Sequence, residues 1–183
     1  VLQNFYGKTS SSAALFFSPF AIGNLLGPLL LGRFFDTIGR RKMIGGSYSI
    51  AAAVLFVSAL LFQADLLSAG THTALWCLSF FFASAGASAG YLTVSEIFPL
   101  EVRGQAISYF FSIAQIFGSI GPLIFGALIG GGAVRGPLTW GYIGASLVML
   151  IGGLVAFKFG VDAEGKALED IAPPLSTYDE HGN

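Results

Sequence analysis

Charge is absent from five long stretches of the chain, residues 9–32, 43–64, 66–95, 104–134 and 136–157. Each is about as long as the ~20 residues that carry an α-helix across ~30 Å of hydrocarbon. Five transmembrane helices follow, expected at about 13–32, 43–64, 74–95, 105–129 and 138–157. The fold class is therefore all-α and integral to a membrane. A bundle of buried soluble helices is the competing reading, and composition argues against it. The chain is 54% hydrophobic and 10% charged, where soluble domains carry about 25% charged residues. A secretory signal in the first stretch lacks both an initiator Met and a preceding basic run.

The same composition removes several function classes. A formal net charge of -1 with no dense basic patch excludes nucleic acid as a partner. Cys77 has no second cysteine to pair with, and His72 and His181 lie far apart, so neither an internal disulfide nor a His/Cys metal site is expected. The 25 glycines suit closely packed membrane helices.

The loops give an orientation. Arg33, Arg40, Arg41, Lys42, Arg103, Lys158 and Lys166 fall on one side of the spans, and Lys8 and Arg135 on the other. By the positive-inside bias the first group is cytoplasmic, as is the C-terminus. The transmembrane region is then 1–161, and residues 162–183 form an acidic cytoplasmic tail. Ala163, Ala167, Leu168 and Ile171 share one face of a short helix there, which Pro173 and Pro174 stop.

The first cytoplasmic loop reads Gly32-Arg33-Phe34-Phe35-Asp36-Thr37-Ile38-Gly39-Arg40-Arg41-Lys42, and the second Ser95-Glu96-Ile97-Phe98-Pro99-Leu100-Glu101-Val102-Arg103-Gly104. Pro99 lacks an N–H and clashes with the preceding turn, so it ends or kinks the third helix just after Glu96. An isolated carboxylate at that depth is costly, which calls for a cationic partner.

The pattern Gly-x-x-x-Asp-x-x-Gly-Arg-Arg, followed by Glu-x-x-Pro-x-x-x-Arg-Gly in the next loop on that side, resembles the major facilitator superfamily near its sugar-porter and metabolite:proton symporter branch. The tail run Glu164-Gly165-Lys166-Ala167-Leu168-Glu169-Asp170-Ile171 is similar to the stretch after the last helix in that branch. The resemblance implies that Val1–Tyr6 ends helix seven and that the five spans are helices eight to twelve of twelve. The amino-terminal half is then missing from this sequence. It also implies a cytoplasmic set of ion pairs that acts as a conformational latch, with Asp36, Arg40, Arg41, Glu96 and Arg103 as members. The competing reading is that the cations only set topology. Two departures stand out. Thr37 replaces a frequent cation, and Gly86-Ala87-Ser88-Ala89-Gly90-Tyr91 lacks the Pro-rich, Trp-containing run of glucose-type porters.

Ser84, Ser88, Tyr91 and Ser95 in the third span, and Gln105, Ser108, Ser112, Gln115 and Ser119 in the fourth, each fall on one helical face. Lipid offers such groups no partner, so they are expected to face protein or water. The serines also suit a close packing face with Gly86, Gly90, Gly118 and Gly126. Asn24 is the strong polar group of the first span, and Pro28 and Pro122 are expected to kink their helices. Tyr91, Gln115, Asn24, Ser88 and Ser112 are the candidate solute-binding residues. The second and fifth spans carry only scattered polar groups, in keeping with the peripheral role the resemblance assigns them.

These features point to the carboxy-terminal part of a secondary transporter in the plasma (bacterial inner) membrane. It would move a small polar solute, a sugar or related metabolite, by alternating access. No Asp, Glu, Lys, Arg or His occupies the middle of a span. The proton coupling that the resemblance implies therefore needs a carboxylate in the missing half. No cofactor, metal, phosphate-binding loop or enzymatic constellation is expected. The rival reading is a membrane scaffold or interaction subunit that transports nothing.

Overall fold

The computed structural model describes residues 1–130 and 134–161, so the expected tail helix lies outside the described residues. The elements are α1 (Leu2–Tyr6), α2 (Ser10–Leu15), α3 (Phe17–Thr37), α4 (Arg40–Gln63), α5 (Ala69–Ile97), α6 (Leu100–Ile129) and α7 (Arg135–Phe159). Among the described residues, five stretches are long and apolar enough to cross a membrane: Ser10–Thr37, Arg40–Gln63, Ala69–Ile97, Leu100–Ile129 and Arg135–Phe159. The chain is an all-α integral membrane protein.

Every span is longer than the limits drawn from the charges. Helix does not stop where charge begins, because a long charged side chain at a helix end reaches water while its backbone continues to bond within the helix. Arg33 and Asp36 thus ride on the last turns of α3, Arg40 opens α4, Glu96 sits at the end of α5 and Arg103 in the first turn of α6.

Local chemistry sets the breaks. Thr9 caps α2 by accepting from the Ser12 amide at 3.3 Å. Gly39 joins α3 to α4 with φ +112°, a conformation closed to most side chains. Ser68 and Thr71 form a reciprocal capping box at the start of α5. Pro99 holds Phe98 in an extended conformation, φ -113° and ψ 141°, and α5 ends at Ile97 as the loop sequence required.

α4 packs along α7, and α5 lies against both α3 and α4, whereas α6 touches α5 and α7 only lightly. Glycines allow the closest approaches. A Cβ on Gly23 would stand 3.0 Å from the Cys77 carbonyl oxygen, and one on Gly27 would overlap the Phe81 carbonyl oxygen. Between α4 and α7, a Cβ on Gly153 would stand 2.9 Å from the Gly45 carbonyl oxygen. The glycine packing face expected on the third and fourth spans is realised only at Gly86, which meets the Tyr48 ring. Gly90 and Gly126 have nothing within 4 Å of such a Cβ, and Gly118 has only its own helix's Gln115.

The two ends of the bundle are distinct. Phe35, Ala85 and Ala89 form a small core near the Arg40 end. Ala59, Phe62, Leu67, Leu138 and Tyr142 form another near the Arg135 end. α6 buries no residue, and its Tyr109, Phe117 and Leu123 are among many exposed apolar side chains on the bundle.

Candidate functional site

The expected latch residues converge at one end of the bundle. Arg40, first in α4, stands one tight glycine turn beyond Asp36 on α3. Its Nη1 donates to Glu96 Oε2 at the end of α5, and its Nη2 lies 3.5 Å from Asp36 Oδ1. The Arg40 side chain is 11% exposed and Glu96 24%, against 68% for Asp36. Arg40 therefore binds the two loops through a partly desolvated pair, where charge attraction is stronger than on an open surface.

The other two candidate members turn elsewhere. Arg103 donates from Nε and Nη2 to the Phe98 carbonyl at 3.4 and 3.3 Å, bracing its own loop. Arg41 lies along the end of α7, its Cγ 2.8 Å from where a Cβ on Gly160 would stand. Arg33 sits over the Phe34 ring, 4.8 Å from its centroid.

The candidate solute-binding residues do not share one cavity. A cavity of about 710 Å³ between the helices is lined by Phe20, Asn24, Tyr48, Trp76, Ser84 and Tyr142 among others, so the second and fifth spans contribute to it alongside the first and third. Ser84 Oγ there donates to the Asn24 carbonyl at 2.7 Å. Tyr91 lines a second cavity of about 530 Å³, stacked on Phe111 at 4.7 Å and edge-on to Phe110 at 5.4 Å. Ser88, Ser112 and Gln115 are exposed on α5 and α6 and line neither cavity.

Several stripe serines satisfy themselves. Ser95, Ser108 and Ser119 donate to carbonyls of their own helices, at 2.6, 2.8 and 2.8 Å. A hydroxyl bonded back to its helix needs neither water nor solute.

The opposite end holds groups that the sequence did not single out. Arg135 Nη1 donates to the Phe62 carbonyl at 2.9 Å, Nη2 pairs with Asp65, and the guanidinium lies 5.1 Å from the Phe62 ring centroid. Thr139 donates to Gln63 Oε1 at 2.7 Å, completing a clamp between α4 and α7. Beside it His72 is fully buried among aromatic rings, 4.1 Å from Trp76, 5.1 Å from Phe62 and 5.7 Å from Tyr142. His72 Nδ1 bonds the Tyr6 hydroxyl of α1 at 2.9 Å. The available signal was a lone histidine one turn before a tryptophan in an apolar run, flanked by an isolated Asp65.

Residues 1–175 match the family model described as Major Facilitator Superfamily. No curated protein and no solved structure matches the chain.

Proposed function

The chain belongs to the major facilitator superfamily, and from that premise we propose that it is the carboxy-terminal part of a secondary transporter moving a small polar solute by alternating access. A sugar or related metabolite is the solute class to test first, with a proton as the coupling ion. No acidic side chain lies within the middle of a span, so the coupling carboxylate belongs to the amino-terminal half. The Arg40 end is cytoplasmic in this reading. Asn24, Ser88, Tyr91, Ser112 and Gln115 contribute to the solute path, in part against surfaces supplied by the other half.

The observation that carries the reading is Arg40, bound to Glu96 and beside Asp36. A carboxylate from the end of one span and a carboxylate and a guanidinium from the loop between two others meet at one level. Such an arrangement holds one conformation and must part in another, as a transporter that alternates requires. A topology signal needs none of these pairings. The test is a solute and pH gradient measured across vesicles carrying the full-length protein, with Glu96→Ala as control. Gradient-driven uptake that Glu96→Ala weakens supports a transporter with a working latch. Absence of uptake for any solute, with the protein properly inserted, favours the scaffold.

A further inference from the structure

Ser79 Oγ of α5 donates to the Ala51 carbonyl of α4 at 2.9 Å, which fixes how these two antiparallel helices face each other. Seven residues make close to two helical turns. Stepping from Ala51 on to Ser58, and from Ser79 back to His72, therefore moves along both helices to the same new level with the same faces opposed. That step brings Ser58 opposite His72, and both are fully buried. Yet Ser58 Oγ and His72 Nε2 each lack a hydrogen-bond partner. Buried polar atoms of this kind are costly unless a protein group or an internal water meets them. The other ring nitrogen, Nδ1, is held by Tyr6 of α1 at 2.9 Å. A neutral imidazole has one donor and one acceptor nitrogen, so the role taken by Nδ1 dictates the role left to Nε2.

We propose that Ser58 and His72 share one internal water, and that Tyr6, His72, this water and Ser58 form a hydrogen-bond relay joining α1, α5 and α4. With Tyr6 O–H donating to Nδ1, Nε2–H donates to the water and the water donates to Ser58 Oγ. Loss of Tyr6 removes the group that selects this tautomer, and loss of Ser58 removes the terminal acceptor. The seating of α1 thus depends on a hydroxyl of α4. The site recognises a single small group that both donates and accepts, which is the chemistry of water. The rings of Trp76, whose Nε1 also lacks a partner, Phe62 and Tyr142 surround the imidazole at 4.1, 5.1 and 5.7 Å.

Hydrogen exchange of α1 in the full-length protein tests this. The amides of Phe5, Gly7 and Lys8 donate to the carbonyls of Val1, Gln3 and Leu2 and report the opening of α1. Tyr6→Phe should speed their exchange by about threefold or more, and Ser58→Ala should do the same, because the two act on one relay. The double variant should exchange no faster than the quicker single, a non-additivity that independent packing defects would not produce. Ser58→Thr, which keeps the hydroxyl, should resemble the unaltered protein. Should Ser58→Ala fail to reach the membrane, Ser58→Cys, of similar size and weaker hydrogen bonding, takes its place. Wild-type exchange in the Ser58 variant, or rates that simply multiply in the double variant, overturns the relay.

Discussion

Removing Glu96 would take from the Arg40 guanidinium, 11% exposed, the nearer and more buried of the two carboxylates that pair with it. Taking the near carboxylate from a partly buried cation of this kind costs about 1–3 kcal/mol. Transport by Glu96→Ala or Arg40→Ala at normal membrane levels should fall by roughly tenfold, the equivalent of ~1.4 kcal/mol. Arg103→Ala should be intermediate, since it loses two long bonds to the Phe98 carbonyl. Lys42→Ala should be near neutral, its side chain being exposed. Uptake measured across the series checks the order, and equal small effects would leave the charges with topology alone. Asp36, Arg40 and Glu96 were legible as a set through the resemblance that the two loop motifs carry. The partner of Arg103 was not, because it depends on the extended Phe98 that Pro99 imposes. The setting of His72 was also hidden: Tyr6, Phe62 and Tyr142 reach it from three different helices, and no local pattern announces that meeting.

At the level of elements, the lengths of the charge-free runs showed five helices, but not which helix packs on which. Apolar faces of similar composition give no preference in sequence, and close approach depends on where two crossing backbones happen to meet. Gly23 and Gly27 lie four residues apart on the face of α3 that meets the Cys77 and Phe81 carbonyls of α5, the small-residue spacing that lets membrane helices touch. Gly126 on α6 has open space around it. Gly27→Ala should accordingly destabilise by about 1–3 kcal/mol or block assembly, because backbone must move to admit the methyl group. Gly126→Ala should be neutral or slightly stabilising, since alanine is the better helix former. Thermal unfolding of the two detergent-solubilised full-length variants separates these outcomes. The polar faces of α5 and α6 call for another experiment, because Tyr91 sits in a cavity while Gln115 is exposed. Single cysteines at 91 and 115, in a protein freed of Cys77 and any other cysteine, should react with a small aqueous thiol reagent and be slowed by solute. Cysteines at 56 and 148, on exposed apolar positions of α4 and α7, should stay inert. Inertness at 91 and 115 would make both stripes packing or lipid faces.

For the whole molecule, the described charges gather at two ends. Arg41 lies beside Gly160 and Arg40 pairs with Glu96, which draws the α3–α4 turn, the α5–α6 turn and the end of α7 to one level. Arg135 pairs with Asp65, and Tyr6 bonds His72, which draws the α4–α5 turn, the start of α7 and α1 to the other. Six of the described cations, Arg33, Arg40, Arg41, Lys42, Arg103 and Lys158, stand at the first end, and Lys8 and Arg135 at the second. This partition could be read from the sequence because antiparallel spans of nearly equal length must return their loops to alternate sides. Orientation is a separate matter, set by the membrane's treatment of positive loops and not by packing. Arg135 also has a structural task, since it clamps α7 to the Phe62 carbonyl and Asp65, so it weighs less as a pure topology signal. With the bias resting on the crowded end, that end should be cytoplasmic. Reporter fusions after Asn183 should report inside the cell, and reporters inserted within 130–136 should report outside. The reverse pattern would turn the bundle over, place the Arg40–Glu96 pair on the outer side, and remove the cytoplasmic latch from the mechanism even though the pair itself would remain.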